Sequence, residues 1–402
     1  MRRSLRQPLR LAATTVTAAF VFALPVVTGC NDARAARSGE GAASDVAQLK
    51  SRTPSIEAPR WAKAVAWSGR GDTIALTITE PWKGAREPLR YWLVATFGDA
   101  KASPKTGEVP VVGRAARRIV CLAAVHTGFV TALGAGDRIV AVDARRHVYD
   151  EGVRAAIAAG GVLEVGSGAT LDAERLLAVR PDLVLANAIG ASEHAALERL
   201  RRAGIPVFVT AEWMENHPLA RAEWVRVVGM LLGEEARADS LFAAVETSYR
   251  ARAAPARDRT RKPTVLLGGP FRDQWFVSGG RSFMARLIED AAGAYLWRED
   301  TTAGGVPLSF EAVLVRARSA DVWLHPGDWR RLDDGARQDM RFSAFGAYAR
   351  GDVYNSDARR HADGANDYWE SGVVRPDRVL ADLESIFHGN EDSLYYYRRM
   401  PP

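Results

Sequence analysis

Apolar positions along this chain fall into three regimes. Residues 11–27 form one uncharged run, LAATTVTAAFVFALPVV, preceded by Arg2, Arg3, Arg6 and Arg10 and broken by Pro25. It is short for a bilayer span and has the layout of a secretory signal. From Trp61 to Phe97 the period is two: Ile74, Leu76 and Ile78 alternate with Thr73, Thr77 and Thr79, and Leu89 to Phe97 is rich in aromatic and branched residues. With a turn over Glu80–Gly84, this predicts an antiparallel β appendage. From Arg117 onward the pattern alternates between types. Short apolar runs at 118–122, 138–142, 181–185 and 205–209 predict buried strands, and His126–Leu133, Leu171–Val179 and Ser192–Arg202 predict helices. Strands separated by helices imply parallel pairing with both sheet faces covered.

A long helical region interrupts the alternation. Trp224, Val227, Val228, Leu231 and Leu232 form one stripe that stops at Gly233. A second helix opens on Glu234 and Glu235, where the macrodipole favours acids, and runs to about Ala253 with the stripe Ala238, Leu241, Phe242, Val245 and Tyr249. The alternation then resumes: strands at 264–267, 321–324 and 352–354, and helices at 282–291, 309–316 and 376–387. The expected fold is α/β, two similar halves about a long helix. Its expected divisions are signal peptide 1–29, flexible tether 30–60, β-rich appendage 61–112, N-terminal lobe 113–220, linking helices 221–257, C-terminal lobe 258–390 and tail 391–402.

Composition narrows the function classes. The chain has 402 residues, 47% hydrophobic and 25% charged, an ordinary globular balance. The formal charge of +6 owes four units to the leader's arginines, and no long Lys/Arg run follows, so nucleic acid is not indicated. The two cysteines are Cys30 and Cys121; Cys121 lies in the apolar run Ile119–Leu122 and reads as a buried structural thiol. Enzyme signatures are lacking: Gly134-Ala-Gly136 has no third glycine, and no nucleophile elbow, phosphate loop, Cys-x-x-Cys or His-Glu-x-x-His is present. No catalytic activity and no resident cofactor are expected.

Thr28-Gly29-Cys30 after the apolar run resembles the lipobox of bacterial lipoproteins, which implies a mature chain starting at a lipidated Cys30, outside the cytoplasm and held to a membrane. The body resembles a substrate-binding protein of an ABC importer, of the iron-siderophore, haem or cobalamin type. The resemblance is carried, in order, by Arg118-Ile-Val-Cys-Leu, Asp137-Arg-Ile-Val-Ala-Val, Val165-Gly166, Leu171-Asp-Ala-Glu-Arg-Leu, Pro181-Asp-Leu-Val-Leu, Gly279-Gly-Arg-Ser-Phe-Met, Leu287-Ile-Glu-Asp-Ala-Ala-Gly, Leu308-Ser-Phe-Glu and Ala320-Asp-Val-Trp, over residues 117–388. It implies two Rossmann-like lobes joined by a rigid helix, a ligand between them, an ABC permease dimer as partner and a monomeric receptor. Where the family often has Thr-Glu, this chain has Thr127-Gly128.

The resemblance places Glu193 and Glu311 where one exposed glutamate per lobe would pair with permease arginines. Loops beyond strand carboxyl ends offer ligand contacts: His126, Arg145, His147, Tyr149, Asn187 and Trp213 from the first lobe, and Trp275, Thr302 and Trp329 from the second. Aromatic side chains suit a planar ligand, and arginine suits an anionic chelate. Trp369 reads as a packing residue. Two alternatives stay open: a receptor for bare zinc or manganese through His126, His147 and His325, or an extracellular enzyme acting on a chelate.

Overall fold

The computed structural model describes residues 57–70, 73–94, 111–256, 258–272, 274–389 and 391–402. They belong to one compact unit, Ser38–Pro402.

The appendage is built from β1 (Val65–Arg70), β2 (Thr73–Ile78) and β3 (Leu89–Val94), an antiparallel meander, with β4 (Val111–Gly113) added parallel to β3. The period-two pattern is realised as expected, with Ile74, Leu76 and Ile78 all buried. The meander covers an edge of the first lobe. There the sheet comprises β5 (Ile119–Cys121), β6 (Ile139–Val142), β7 (Leu163–Glu164), β8 (Leu183–Asn187) and β9 (Val207–Thr210), all parallel, in the order β7-β6-β5-β8-β9. As an edge strand, β9 has backbone groups without a strand partner. The Tyr91 hydroxyl of β3 accepts a hydrogen bond from Val209 N–H at 3.1 Å, and its ring sits 4.6 Å from Phe208.

The second lobe contributes β10 (Thr264–Leu267), β11 (Pro270–Phe271), β12 (Gln274–Ser278), β13 (Ala294–Tyr295), β14 (Gly305–Leu308), β15 (Val322–Leu324), β16 (Val353–Asn355) and β17 (Arg398–Arg399). Its main sheet runs β13-β10-β15-β16-β17, parallel except for β17, while β11-β12-β14 form a separate antiparallel sheet that the apolar pattern did not disclose. The two lobes have separate sheets. The segment expected as a tail, 391–402, is instead an integral edge. Asp382, 2% exposed, accepts hydrogen bonds from the N–H groups of Tyr395, Tyr396 and Tyr397, and Tyr396 and Tyr397 are fully buried.

Between the lobes run two helices, Pro218–Leu232 and Glu235–Ala256, separated by Gly233 in the left-handed region (φ 68°). At 1.5 Å per residue the second is about 33 Å long. The first is buried along nearly its whole length, against both lobes and the appendage. It carries charge into that core. Glu223, 0% exposed, accepts hydrogen bonds from the N–H groups of Arg60, Trp61 and Ala62 at 2.7–2.8 Å and pairs with Arg226 at 3.2 Å. Glu215, just before the helix, accepts from Lys63 and Ala64 N–H, and Glu246 on the second helix takes the Trp61 indole N–H at 2.9 Å. The lead-in to the appendage is thus held by three carboxylates of the linker region.

Glu223→Ala removes the acceptor for three backbone donors and leaves Arg226 with a weaker set of anions. It is expected to cost about 3–5 kcal/mol, as for a broken buried pair. Thermal or urea unfolding checks this, and a loss below about 1 kcal/mol contradicts the role given to Glu223.

Candidate functional site

In the first lobe the strand order reverses between β5 and β8, the position where open α/β sheets offer a crevice at their carboxyl ends. His126, just after β5, and Asn187, at the end of β8, converge there on one hydroxyl. His126 Nε2 lies 2.9 Å from Thr210 Oγ1, and Asn187 Nδ2 donates to the same oxygen at 3.0 Å and to Glu212 at 3.2 Å. His126 is wholly buried, and burial pushes its pKa below the usual histidine value. Its Nδ1 and the indole N–H of Trp213, the residue after Glu212, are buried without hydrogen-bond partners among the described residues.

Facing these strand ends is a segment of the second lobe that follows β16. Glu370, 2% exposed, accepts hydrogen bonds from the N–H groups of Tyr149 at 2.5 Å and Asp150 at 3.0 Å. Asp363 pairs with Arg154 at 2.7 Å and with Arg145 at 3.6 Å. His361 Nε2 lies 3.1 Å from the Tyr149 carbonyl, its ring 4.7 Å from the Tyr149 ring, and Arg359 covers that ring from 5.0 Å. Gly128 makes this closeness possible. A Cβ there would stand 2.1 Å from the Glu370 carbonyl oxygen, so the Thr127-Gly128 departure is where the backbones of the two lobes meet. The lobes are in contact, with the 356–374 segment against the strand ends.

The structure therefore brings His126, Asn187, Arg145, His147 and Tyr149 to the carboxyl-end side of the first lobe, with Trp213 partly buried beside Glu212 in sequence. His147 Nδ1 is 2.5 Å from Asp143. Two residues expected as ligand contacts are withdrawn. Trp275 is 0% exposed and stacks on Trp323 at 5.5 Å among Phe310, Phe342 and Phe345. Trp329 is 3% exposed, its indole N–H on Gln338. Both fill the second lobe's core because that lobe needs bulk between its main sheet and its helices. Thr302 is exposed, and its hydroxyl donates to the Asp300 carboxylate at 2.5 Å. Trp369 corrects in the other direction: it is 48% exposed rather than packed.

The bare-metal arrangement does not form. His126 bonds Thr210, His147 bonds Asp143, and His325 lies against Tyr397 OH at 2.7 Å with burial pushing its pKa down to about 4. Among the described residues no group of three or more His, Cys, Asp or Glu is placed to hold a metal ion. Cys121 is a buried free thiol, its pKa pushed up by burial. Cys30 and the leader lie outside the described residues. Among the described residues no helix is long and apolar enough to cross a membrane.

Glu193 and Glu311 are both exposed, and each sits in the first turn of its helix, Ala191–Arg202 in one lobe and Phe310–Ala317 in the other. Helix dipoles favour acids at both places. Among the described residues Glu193 accepts only a neighbouring hydroxyl, that of Ser192, whereas Glu311 is paired with Arg341 at 3.2 Å.

Residues 119–359 match the model of the periplasmic binding protein family. The chain belongs to that family. An uncharacterized lipoprotein of Methanocaldococcus jannaschii is 24% identical over 60% of this chain and 56% of its own length. An uncharacterized ABC transporter substrate-binding lipoprotein of Bacillus subtilis is 26% identical over 38% of this chain and 49% of its own. The chain thus spans about half the length of these curated relatives. Among solved structures, a periplasmic haem-binding protein of Pseudomonas aeruginosa is similar, with TM-score 0.54, 22% identity and coverage of 71% of this chain and 99% of that one. So is a protein of a Fe3+-hydroxamate transport system from Saccharomonospora viridis, with TM-score 0.52, 20% identity and coverage of 69% and 94%. These likenesses establish the two-lobed periplasmic-binding fold.

Sequence reasoning missed Glu370, Asp363, His361 and Arg359 of this family member. The dense run Arg359-Arg-His-Ala-Asp-Gly-Ala-Asn-Asp-Tyr-Trp-Glu, polar and aromatic directly after a strand, was their available signal.

Glu370 makes the lobe contact sensitive to pH. Burial, reinforced by the Asp367 and Asp150 charges and opposed by the two N–H donors, pushes its pKa up to about 8. A carboxyl raised in the folded state stabilises the structure fully below the ordinary value, near 4.5, and that stabilisation is lost as pH rises through about 8. Glu370→Gln keeps an acceptor without the charge, so its urea midpoint should gain on that of the unsubstituted protein between pH 5 and pH 8; a constant gap refutes a neutral Glu370. Gly128→Ala should destabilise by about 1–3 kcal/mol through overpacking and separate the lobes, seen as increased protease sensitivity of 356–374.

Proposed function

We propose that this chain is an extracytoplasmic solute-binding protein, anchored through lipid on Cys30, that captures a metal chelate or corrinoid between its lobes and delivers it to an ABC permease dimer in the inner membrane. Family membership supports the solute-binding part. The observation that carries the rest is the arrangement of two separately sheeted lobes that meet at polar strand ends, each bearing one exposed acid at a helix start. Arg145, His147, Tyr149, Asn187 and Trp213 are the side chains this reading assigns to the ligand, and the similarity to a haem-binding protein and to a protein of a Fe3+-hydroxamate transport system supports a chelate as its class. The receptor itself makes and breaks no covalent bond in this scheme; the transporter's ATPase supplies the energy. The long buried linker restricts the lobes to small relative rotations.

Tryptophan fluorescence, with 11 indoles in the chain, is the direct test. Titration with haem, a ferric siderophore or cobalamin should give a saturable change at one equivalent per chain. Saturation by zinc or manganese alone would support the bare-metal receptor instead, and turnover of a chelate would support an enzyme. Glu193→Ala with Glu311→Ala should leave that affinity unchanged while slowing import by about tenfold or more, the scale of a lost pair of interfacial charges. Normal import by the double variant removes the docking role.

A further inference from the structure

Arg154, on the helix Glu151–Ala158 of the first lobe, is 8% exposed, and its guanidinium is oriented from within that lobe. Nη1 donates to the Val148 carbonyl at 2.9 Å and to the Arg145 carbonyl at 3.3 Å. Nη2 donates across the lobe junction to Asp363 Oδ2 at 2.7 Å. The Arg145 side chain, about half exposed, reaches the same oxygen at 3.6 Å. Two guanidiniums from one short stretch, the deeper one braced by two carbonyls of that stretch, make a site shaped for a carboxylate. The bracing belongs to the first lobe alone, so the site is organised independently of Asp363.

Asp363 arrives from the other lobe, at the tip of a tight hairpin. Arg360 bridges to Asn366, His361 N–H donates to the Ala365 carbonyl at 2.8 Å, and Gly364, at φ 104°, donates its N–H to the His361 carbonyl at 3.0 Å. The hairpin is rooted by Arg360 on Asp328 at 2.5 Å and Arg359 on Asp367 at 2.6 Å. Partial burial raises the Asp363 pKa, but the hydrogen bond and charge of Arg154, the Ala365 N–H and the Arg145 charge outweigh it, holding the carboxyl below the usual aspartate range. Its side chain is 36% exposed and that of Arg145 46%, so the pair opens to solvent, unlike the enclosed Glu370 contact. A carboxylate exposed to that extent can be exchanged for one from solution without unpacking the core.

We propose that Arg154 and Arg145 form a carboxylate site, filled by Asp363 when the lobes meet as they do here, and that a carboxylate of the solute takes it in Asp363's place. The site rests on the solute-binding reading and adds the chemistry of one end of the solute, together with a competitor built into the chain. A group tethered by a short segment acts at an effective concentration of order millimolar. Asp363 therefore excludes stray small acids and yields to a carboxylate that brings further contacts with it, as an arm of a larger chelate does.

Calorimetric titration of the full chain with citrate tests this, with trimethyl citrate as the uncharged counterpart. Asp363→Ala should take up one equivalent of citrate at least tenfold more tightly than the unsubstituted protein, and should ignore the ester. Arg154→Met in the Asp363→Ala background should abolish that uptake. Arg154→Met also strips a donor from two carbonyls, so Arg145→Ala, at the more exposed arginine, is the second variant and should weaken citrate at least threefold. Equal citrate affinity of Asp363→Ala and the unsubstituted protein, no uptake by either, uptake of the ester as tight as that of citrate, or a gain that survives both arginine substitutions would overturn the site. Among the chelates of the fluorescence titration, haem carries two carboxylates and cobalamin carries amides instead. Haem should saturate, and citrate should compete with it on Asp363→Ala. Saturation by cobalamin, or by a chelate that citrate does not displace, refutes the solute's use of the site. If Asp363→Ala takes up citrate and no chelate binds, the carboxylate site stands and the solute-binding reading falls. Chelate binding without Asp363-dependent citrate uptake does the reverse.

Discussion

The arrangement of this protein depends on a charged helix buried at its centre. Pro218–Leu232 lies inside a continuous apolar core that joins the appendage and both lobes, yet it carries Glu223 and Arg226 into that core. Buried charge is tolerable only where each lone pair and proton is answered. Here the answers come from backbone N–H groups of residues 60–62 and from Asp239 on the next helix. The same bonds that neutralise the helix therefore also hold the entry to the appendage. Appendage, linker and first lobe become one mechanical piece, and the linker's stiffness is inherited by both lobes.

The appendage also solves a problem of the first lobe. Five parallel strands end in β9, whose outer edge would present open backbone groups to solvent or to another chain. Tyr91 supplies an acceptor to Val209 N–H, and Trp82 and Leu89 pack on the apolar cluster of that sheet. Trp82 also lies 4.8 Å from His194, on the helix that bears Glu193. Any surface that engages Glu193 therefore lies close to the appendage.

Across the lobe junction the balance is different. The contact is made by the Glu370 carboxyl on two backbone donors, an arginine–aspartate pair and a ring stack, with one glycine permitting the approach. Polar contacts of this kind are reversible because water replaces them at modest cost, whereas the apolar linker core does not separate.

Much of the architecture was legible from periodicity alone. Ile74, Leu76 and Ile78 could be assigned to one buried face, Gly233 to a break between two helices, and the runs at 118–122, 181–185 and 264–267 to buried parallel strands, because local spacing decides which face of an element is apolar. Glu193 and Glu311 were singled out by the family resemblance rather than by periodicity, and both are exposed at helix starts. Tertiary structure decided what pattern does not encode. It put Trp275 and Trp329 in the core and left Trp369 exposed, made an edge strand of the last residues, and set Gly128 against Glu370 across hundreds of residues. A single tryptophan has no period, so its place follows from which distant elements leave room for it. A carboxylate's partners likewise are fixed only when the chain has closed around it.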